Sequence, residues 1–225
     1  MDAVYPLFPR GEHIEYSYAL LKKFTSIQNV FTVGEAFEPA IHIPHTDNQV
    51  PSCNIWEKAL AACLDDRVSD PFLLISDDHF FIQPVDIGNY PNYYAFNISE
   101  YPYKTYNILG LTVDISNNPY WMLVKKTHDL LGDVPFYNVH CPVIIHKQKF
   151  IDTFEAYREH IYSGIGLLVK TTLLHPTSHP TVQMDDYKAK AKESLAEIRH
   201  NAKGRHIISC ADGCDAIFEF LSEYL

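Results

Sequence analysis

The chain has 225 residues, 47% of them hydrophobic, and its 28 acidic and 18 basic side chains give a formal net charge of −10. That length buries a sizeable core, and with no Gly/Ser-rich or Pro-rich linker it reads as a single domain. The charge argues against a broad nucleic-acid or anionic-membrane surface, and no run of 18 apolar residues is present to span a bilayer.

Ala3 to Leu7 reads as a first strand that stops before Pro9-Arg10-Gly11. Apolar residues near 3.6 spacing predict an amphipathic helix over 14–25. Residues 29–34 form a second predicted strand ending in Gly34, and 40–43 a short third one closed by Pro44. Asn54 is expected to cap a helix running to Leu64. Phe72-Leu73-Leu74-Ile75, apolar on both faces, predicts a buried strand leading into Ser76-Asp77-Asp78-His79. This β-α-β-β-α-β order predicts an α/β fold with a Rossmann-type, mostly parallel central sheet flanked by helices. The second half is less regular. Residues 90–114 are aromatic and unassigned, 120–131 and 147–157 read as helices, and 137–145 as a strand. Residues 177–184 read as a loop, 185–202 as a charged helix and 212–224 as an amphipathic one. Five cysteines without a CxxC pair, and an amino terminus lacking the features of a signal peptide, suggest reduced thiols in a cytoplasmic protein.

The chemistry concentrates at Asp77-Asp78. Burying the four residues before them gains ~6–12 kcal/mol, whereas desolvating two adjacent carboxylates costs several kcal/mol each unless a positive charge sits beside them. The economical placement is the carboxyl end of the strand, in a crevice, against a divalent cation. Arg10, Gly34, His45 and Asp47 fall on the same strand ends. On a regular strand Asp78 and His79 point to opposite faces, so both reach one ion only if the chain turns there. His140 sits in an apolar stretch and reads either as a core histidine bonded to a carbonyl or as a further ligand. Lys58 reads as a phosphate contact or a solvated surface lysine. Asp185-Asp186 suits a helix start. Gly-rich phosphate loops and the GxSxG elbow are absent, so a diphosphate here would be neutralised by metal.

Ordered segments across nearly the whole chain carry a resemblance: Asp2-Ala3-Val4-Tyr5-Pro6-Leu7, Asn29 to Gly34, Ile43-Pro44-His45-Thr46-Asp47, Asn54-Ile55 with Lys58, Val68 to Phe72 leading into Ser76-Asp77-Asp78-His79-Phe80, Val139-His140-Cys141-Pro142, Val169-Lys170-Thr171 and Asp186-Tyr187-Lys188. The sequence resembles nucleotide-sugar-dependent glycosyltransferases of the GT-A fold, in a bacterial and phage group related to Stealth-type capsular polysaccharide transferases. The resemblance implies one GT-A-like domain over 1–225, with a nucleotide-sugar-binding half over 1–90 and an acceptor and metal half over 91–225. It implies a nucleotide-diphosphate sugar as donor, Mn2+ or Mg2+ as cofactor, and a saccharide or other hydroxyl as acceptor. A modified DNA base is an acceptor that the charge disfavours. Pro6, Leu7, Arg10, Asp47, Asn54, Lys58 and Asp77 are then expected near the donor. Asp78 is expected to bind the metal in the manner of a DXD motif, with His140 and His79 beside it, and Asp186 and Asp47 are candidate bases. Two other readings are a Stealth-like hexose-1-phosphate transferase and a non-catalytic sugar- or metal-binding module. The first helix lacks the Arg that related sequences often carry, and the chain ends at Leu225, where relatives often continue.

Overall fold

The computed structural model describes residues 1–9, 13–48, 50–100, 106–108, 111–113, 118–175, 181–184 and 187–225. Its elements run β1 (Asp2–Leu7), α1 (Ile14–Phe24), β2 (Val30–Gly34), β3 (Ile41–Ile43), α2 (Pro51–Leu64), β4 (Phe72–Leu74), β5 (His79–Phe81), β6 (Asn92–Tyr94), β7 (Tyr106–Ile108) and β8 (Leu111–Val113). They continue with α3 (Pro119–Leu131), β9 (Val143–Ile145), α4 (Lys147–Ile161), α5 (Val169–Leu174), β10 (Thr181–Gln183), β11 (Lys188–Ala189), α6 (Leu195–Ala202), β12 (Ile207–Cys210) and α7 (Ala216–Ser222).

The central sheet has the order β3-β2-β1-β4-β9. The first four strands are mutually parallel and β9 closes the β4 edge antiparallel. Alternation along the strands divides the core between its two faces. Val4, Phe72 and Leu74 pack with Trp56 of α2 and with Phe150 and Phe154 of α4. Ala3, Tyr5, Leu7, Leu73 and Ile75 pack on the other face with Ile14 and Leu21 of α1. The side-chain period of two places helices on both sides of one sheet. The expected α/β architecture with a mostly parallel sheet is therefore what the chain forms.

A second sheet, β11-β12-β5, stands beside the first, with its own core of Phe80, Ile208, Ile217 and Phe220. Between β4 and β5 the chain turns at Asp77-Asp78, so one sheet ends and the other begins within five residues.

Four expectations need correcting, the first being the loop over 177–184, in which Thr181–Gln183 form β10 and pair parallel with β6. Asn54 does not cap α2, which starts at Pro51; its side chain instead accepts from Asn48 N–H (2.8 Å) and donates to Asn48 O (3.2 Å). Of the helix expected over 185–202, residues 187–194 are not helical and α6 begins at Leu195, where Ser194 and Glu197 form a capping box, while 185–186 lie outside the described residues. Lys188-Ala189 instead pair with β12. The strand expected over 137–145 is regular only over Val143–Ile145, which leaves His140 in a bend before it. All five cysteines are buried thiols outside any disulfide. Among the described residues no helix is long and apolar enough to cross a membrane.

Candidate functional site

The chain runs outward from β1 through β2 to β3 and then crosses back to β4 on the other side of β1, a reversal that opens a crevice past the carboxyl ends of β1 and β4. A cavity of about 300 Å3 lies there. Pro6, near the end of β1, and Phe8, just past it, enter its wall, and Ile75, Ser76, Asp77, Asp78 and His79 follow β4. Asn138, His140, Lys170 and Lys188 complete the polar side, with Val139 between them.

The turn that delivers the acids is held from several sides. The Ser17 hydroxyl of α1 donates to His79 O (2.7 Å) and pairs with the Tyr5 hydroxyl (2.9 Å). Cys210 N–H donates to Asp78 O (3.3 Å). Because the chain turns, Asp78 and His79 do not point apart: His79 Nε2 lies 3.6 Å from Asp78 Oδ1. Ser76 N–H points at His79 Nδ1 (3.4 Å), which puts the proton of the neutral ring on Nε2, towards Asp78. The other carboxylate oxygen, Oδ2, accepts from Lys188 Nζ at 3.1 Å.

One ligand atom from each of Asp78, His79 and His140 lies within 4.8 Å of the others. A carboxylate with two imidazoles is a donor set best suited to a borderline divalent ion, and of the two expected ions it fits Mn2+, which accepts imidazole more readily, better than Mg2+, which prefers oxygen.

Electrostatics separate the two acids. Burial raises the Asp77 carboxyl above the usual carboxylate range, and the neighbouring Asp78 charge adds to the shift. Burial acts the same way on Asp78, but His79, Lys188 and His140 together outweigh it and hold that carboxyl low. Burial also pulls the His79 ring down to about 3, so it is neutral at pH 7. With His79 neutral, the Lys188 ammonium is the permanent full charge on the Asp78 carboxylate.

Lys170, the second residue of α5, has a role no local sequence pattern announces. Its Nζ donates to Val139 O and to Cys141 O, both at 2.6 Å, and so grips the two carbonyls that flank His140. Thr171 Oγ1 accepts from Tyr137 N–H (3.1 Å) and ties the same bend to α5.

The remaining expected residues are placed elsewhere. Lys58 is fully buried rather than solvated. Its Nζ donates to Leu7 O (2.7 Å), pairs with Asp47 Oδ1 (2.8 Å) and sits 3.6 Å from the centre of the Phe8 ring. Asp47, Lys58 and Leu7 line a separate cavity of about 220 Å3 with Gly34 and His45. Gly34 has φ +104°, and a β-carbon there would meet Leu7 O at 2.5 Å, so the close packing around Lys58 requires glycine. Asn54 is buried and lines neither cavity. Arg10 and Asp186 lie outside the described residues.

Beyond His140 the crevice continues into a further cavity of about 440 Å3, which shares Tyr120, Asn138, Val139, His140 and Lys188 and adds Ala95, Phe96 and Phe136. The Phe96 and Phe136 rings stack with centroids 5.2 Å apart. Asn138 Nδ2 donates to the Tyr120 hydroxyl (3.0 Å), joining this wall to α3. Compared with known proteins, the chain matches no family model and no curated protein.

Proposed function

We propose that the protein is a metal-dependent glycosyltransferase of the GT-A kind, taking its sugar from a nucleotide-diphosphate donor. The observation that carries this reading is the grouping of Asp78, His79 and His140 in one cavity with Lys170 and Lys188, at the crevice between β1 and β4. A cavity with both a cation-binding trio and two lysines suits a ligand that is itself a metal–polyanion pair. When bound, a divalent ion supplies a positive charge against the negative charge that grows on the departing diphosphate.

The chain's own residues do the rest. Asp78 is the first ligand and His140 the second, while His79 braces Asp78 Oδ1 through its Nε2 proton and becomes a third ligand only where the ion displaces that proton. Pro6 and Phe8 offer an apolar wall to a base or ribose. The adjoining cavity, with its stacked Phe96 and Phe136, suits a saccharide acceptor whose hydroxyl approaches past His140. Asp47 is paired with Lys58 in the separate cavity, which disfavours it as the base.

Incubation with Mn2+ and a panel of nucleotide sugars tests the reading. Release of a nucleoside diphosphate is the expected result, and Asp78→Ala lowers that turnover at least about 100-fold if the metal charge supplies close to 3 kcal/mol of transition-state stabilisation. Release of a nucleoside monophosphate instead identifies a hexose-1-phosphate transferase. Binding without turnover identifies a non-catalytic module. If no nucleotide sugar binds at all, neither transferase reading survives.

A further inference from the structure

We infer that Lys188 is a built-in competitor for the metal, one that the diphosphate draws away, so that cation and nucleotide bind cooperatively through this one side chain. The inference rests on the metal–diphosphate reading of the cavity.

Both oxygens of Asp78 are engaged: Oδ1 faces His79 Nε2 and Oδ2 holds Lys188 Nζ. An ion ligated by Asp78 must share an oxygen with one of these partners, and its charge repels an ammonium held on the same carboxylate. His79 has no room to withdraw, because its side chain is 3% exposed and its backbone is paired to β12. Lys188 is different. Its side chain is 34% exposed, it stands on the two-residue strand β11, and it lines both the 300 Å3 cavity and the 440 Å3 cavity. The ammonium is therefore the group that yields.

Charge counting gives the direction of the coupling. In the 300 Å3 cavity, Asp77 and Asp78 stand against Lys170 and Lys188, so the ionised groups balance before any ligand enters. A dication arriving alone meets an ammonium on its best ligand. A diphosphate arriving with it offers Lys188 a second anion, within reach of the same flexible stem. Each ligand thus removes an obstacle to the other, and linkage makes the effect reciprocal.

Mn2+ binding to the full chain is measured by titration calorimetry for the wild type, Lys188→Met and Lys188→Gln, alone and with UDP, GDP, CDP, ADP or dTDP. Circular dichroism and thermal unfolding confirm that each variant is folded. The expected result has opposite signs for the two ligands. Without nucleotide, both variants bind Mn2+ at least about fivefold more tightly than the wild type, the low end of typical coupling between sites. With Mn2+ present they bind the nucleoside diphosphate more weakly, and the mutual enhancement seen in the wild type shrinks by the same factor. If Mn2+ affinity is unchanged or weaker in the folded variants while the wild type binds both ligands, the competitor role is wrong and the metal–diphosphate reading stands. If the wild type binds neither Mn2+ nor any of these nucleotides, that reading and this inference fall together.

Discussion

His79 is the residue on which burial acts most plainly. Folding takes an imidazole that would titrate near 6.5 and holds it neutral down to about 3. A lowered histidine pKa means that the unfolded chain binds the proton first. The associated stability is complete above about pH 6.5 and is lost progressively as pH falls towards 3. The loss at pH 5 relative to pH 7 is about 2 kcal/mol from this residue alone. Urea unfolding at the two pH values checks it, with His79→Gln expected to flatten the difference. An unchanged pH slope in that variant shows that another group carries the acid sensitivity. Asp78 acts in the same sense, because its carboxyl is held low in the folded state and loses its partners' stabilisation when protonated.

At the scale of elements, short segments place the chemistry and longer ones hold them. The six-residue helix α5 contributes one lysine, and that lysine fixes the bend carrying His140. Lys170→Met should leave most of the fold intact, since Nζ is at the rim of the core, but it strips two carbonyls of their donor. A destabilisation of about 1–3 kcal/mol is expected from the unpaired carbonyls, together with a weakening of Mn2+ binding of about tenfold or more from a displaced ligand. Lys170→Arg should restore most of the stability. Calorimetry on the two variants decides the matter, and equal Mn2+ affinity in Lys170→Met and wild type would remove Lys170 as a positioning residue.

How far the elements were legible follows from what sets them. β1, α1 and β2 begin and end within a residue or two of their predicted limits, because strong apolar periodicity sits between clear breaks. The placing of Asp77-Asp78 in a crevice was also legible, since two carboxylates after a fully apolar strand leave few affordable positions. Asn54 was misread because Asn is a good cap in general, while Pro51, favoured at a helix's first position, marked the true start. Residues 188–189 were misread because pairing with β12, a long-range event, overrides a local helical pattern. The Ser194–Glu197 capping box is the local signal that marks the true start of α6. Nothing local could have shown that Lys170 grips carbonyls 29 and 31 positions away, or that Lys58 is buried against Leu7 O and Asp47.

For the molecule as a whole, the net charge of −10 sets the long-range field. Local lysines in the cavity do not alter the sign of what a distant polyanion meets. Duplex DNA is therefore expected to show no retention by the protein at about 50 mM salt, a concentration at which phosphate-binding proteins hold it well. A gel-shift series over salt concentration checks this. Retention that weakens steeply with salt would revive a modified DNA base as the acceptor.

The turn between β4 and β5 joins two sheets, and the acids occupy the seam itself. Asp78 lies in the turn, His79 belongs to β5 of the second sheet, and His140 comes from the bend before β9 at the edge of the central sheet. A cation gathered by these groups would rivet the two halves together. Mechanical loosening between the sheets and loss of the ion should then be one event, observed as a shared midpoint when the protein is stretched or warmed.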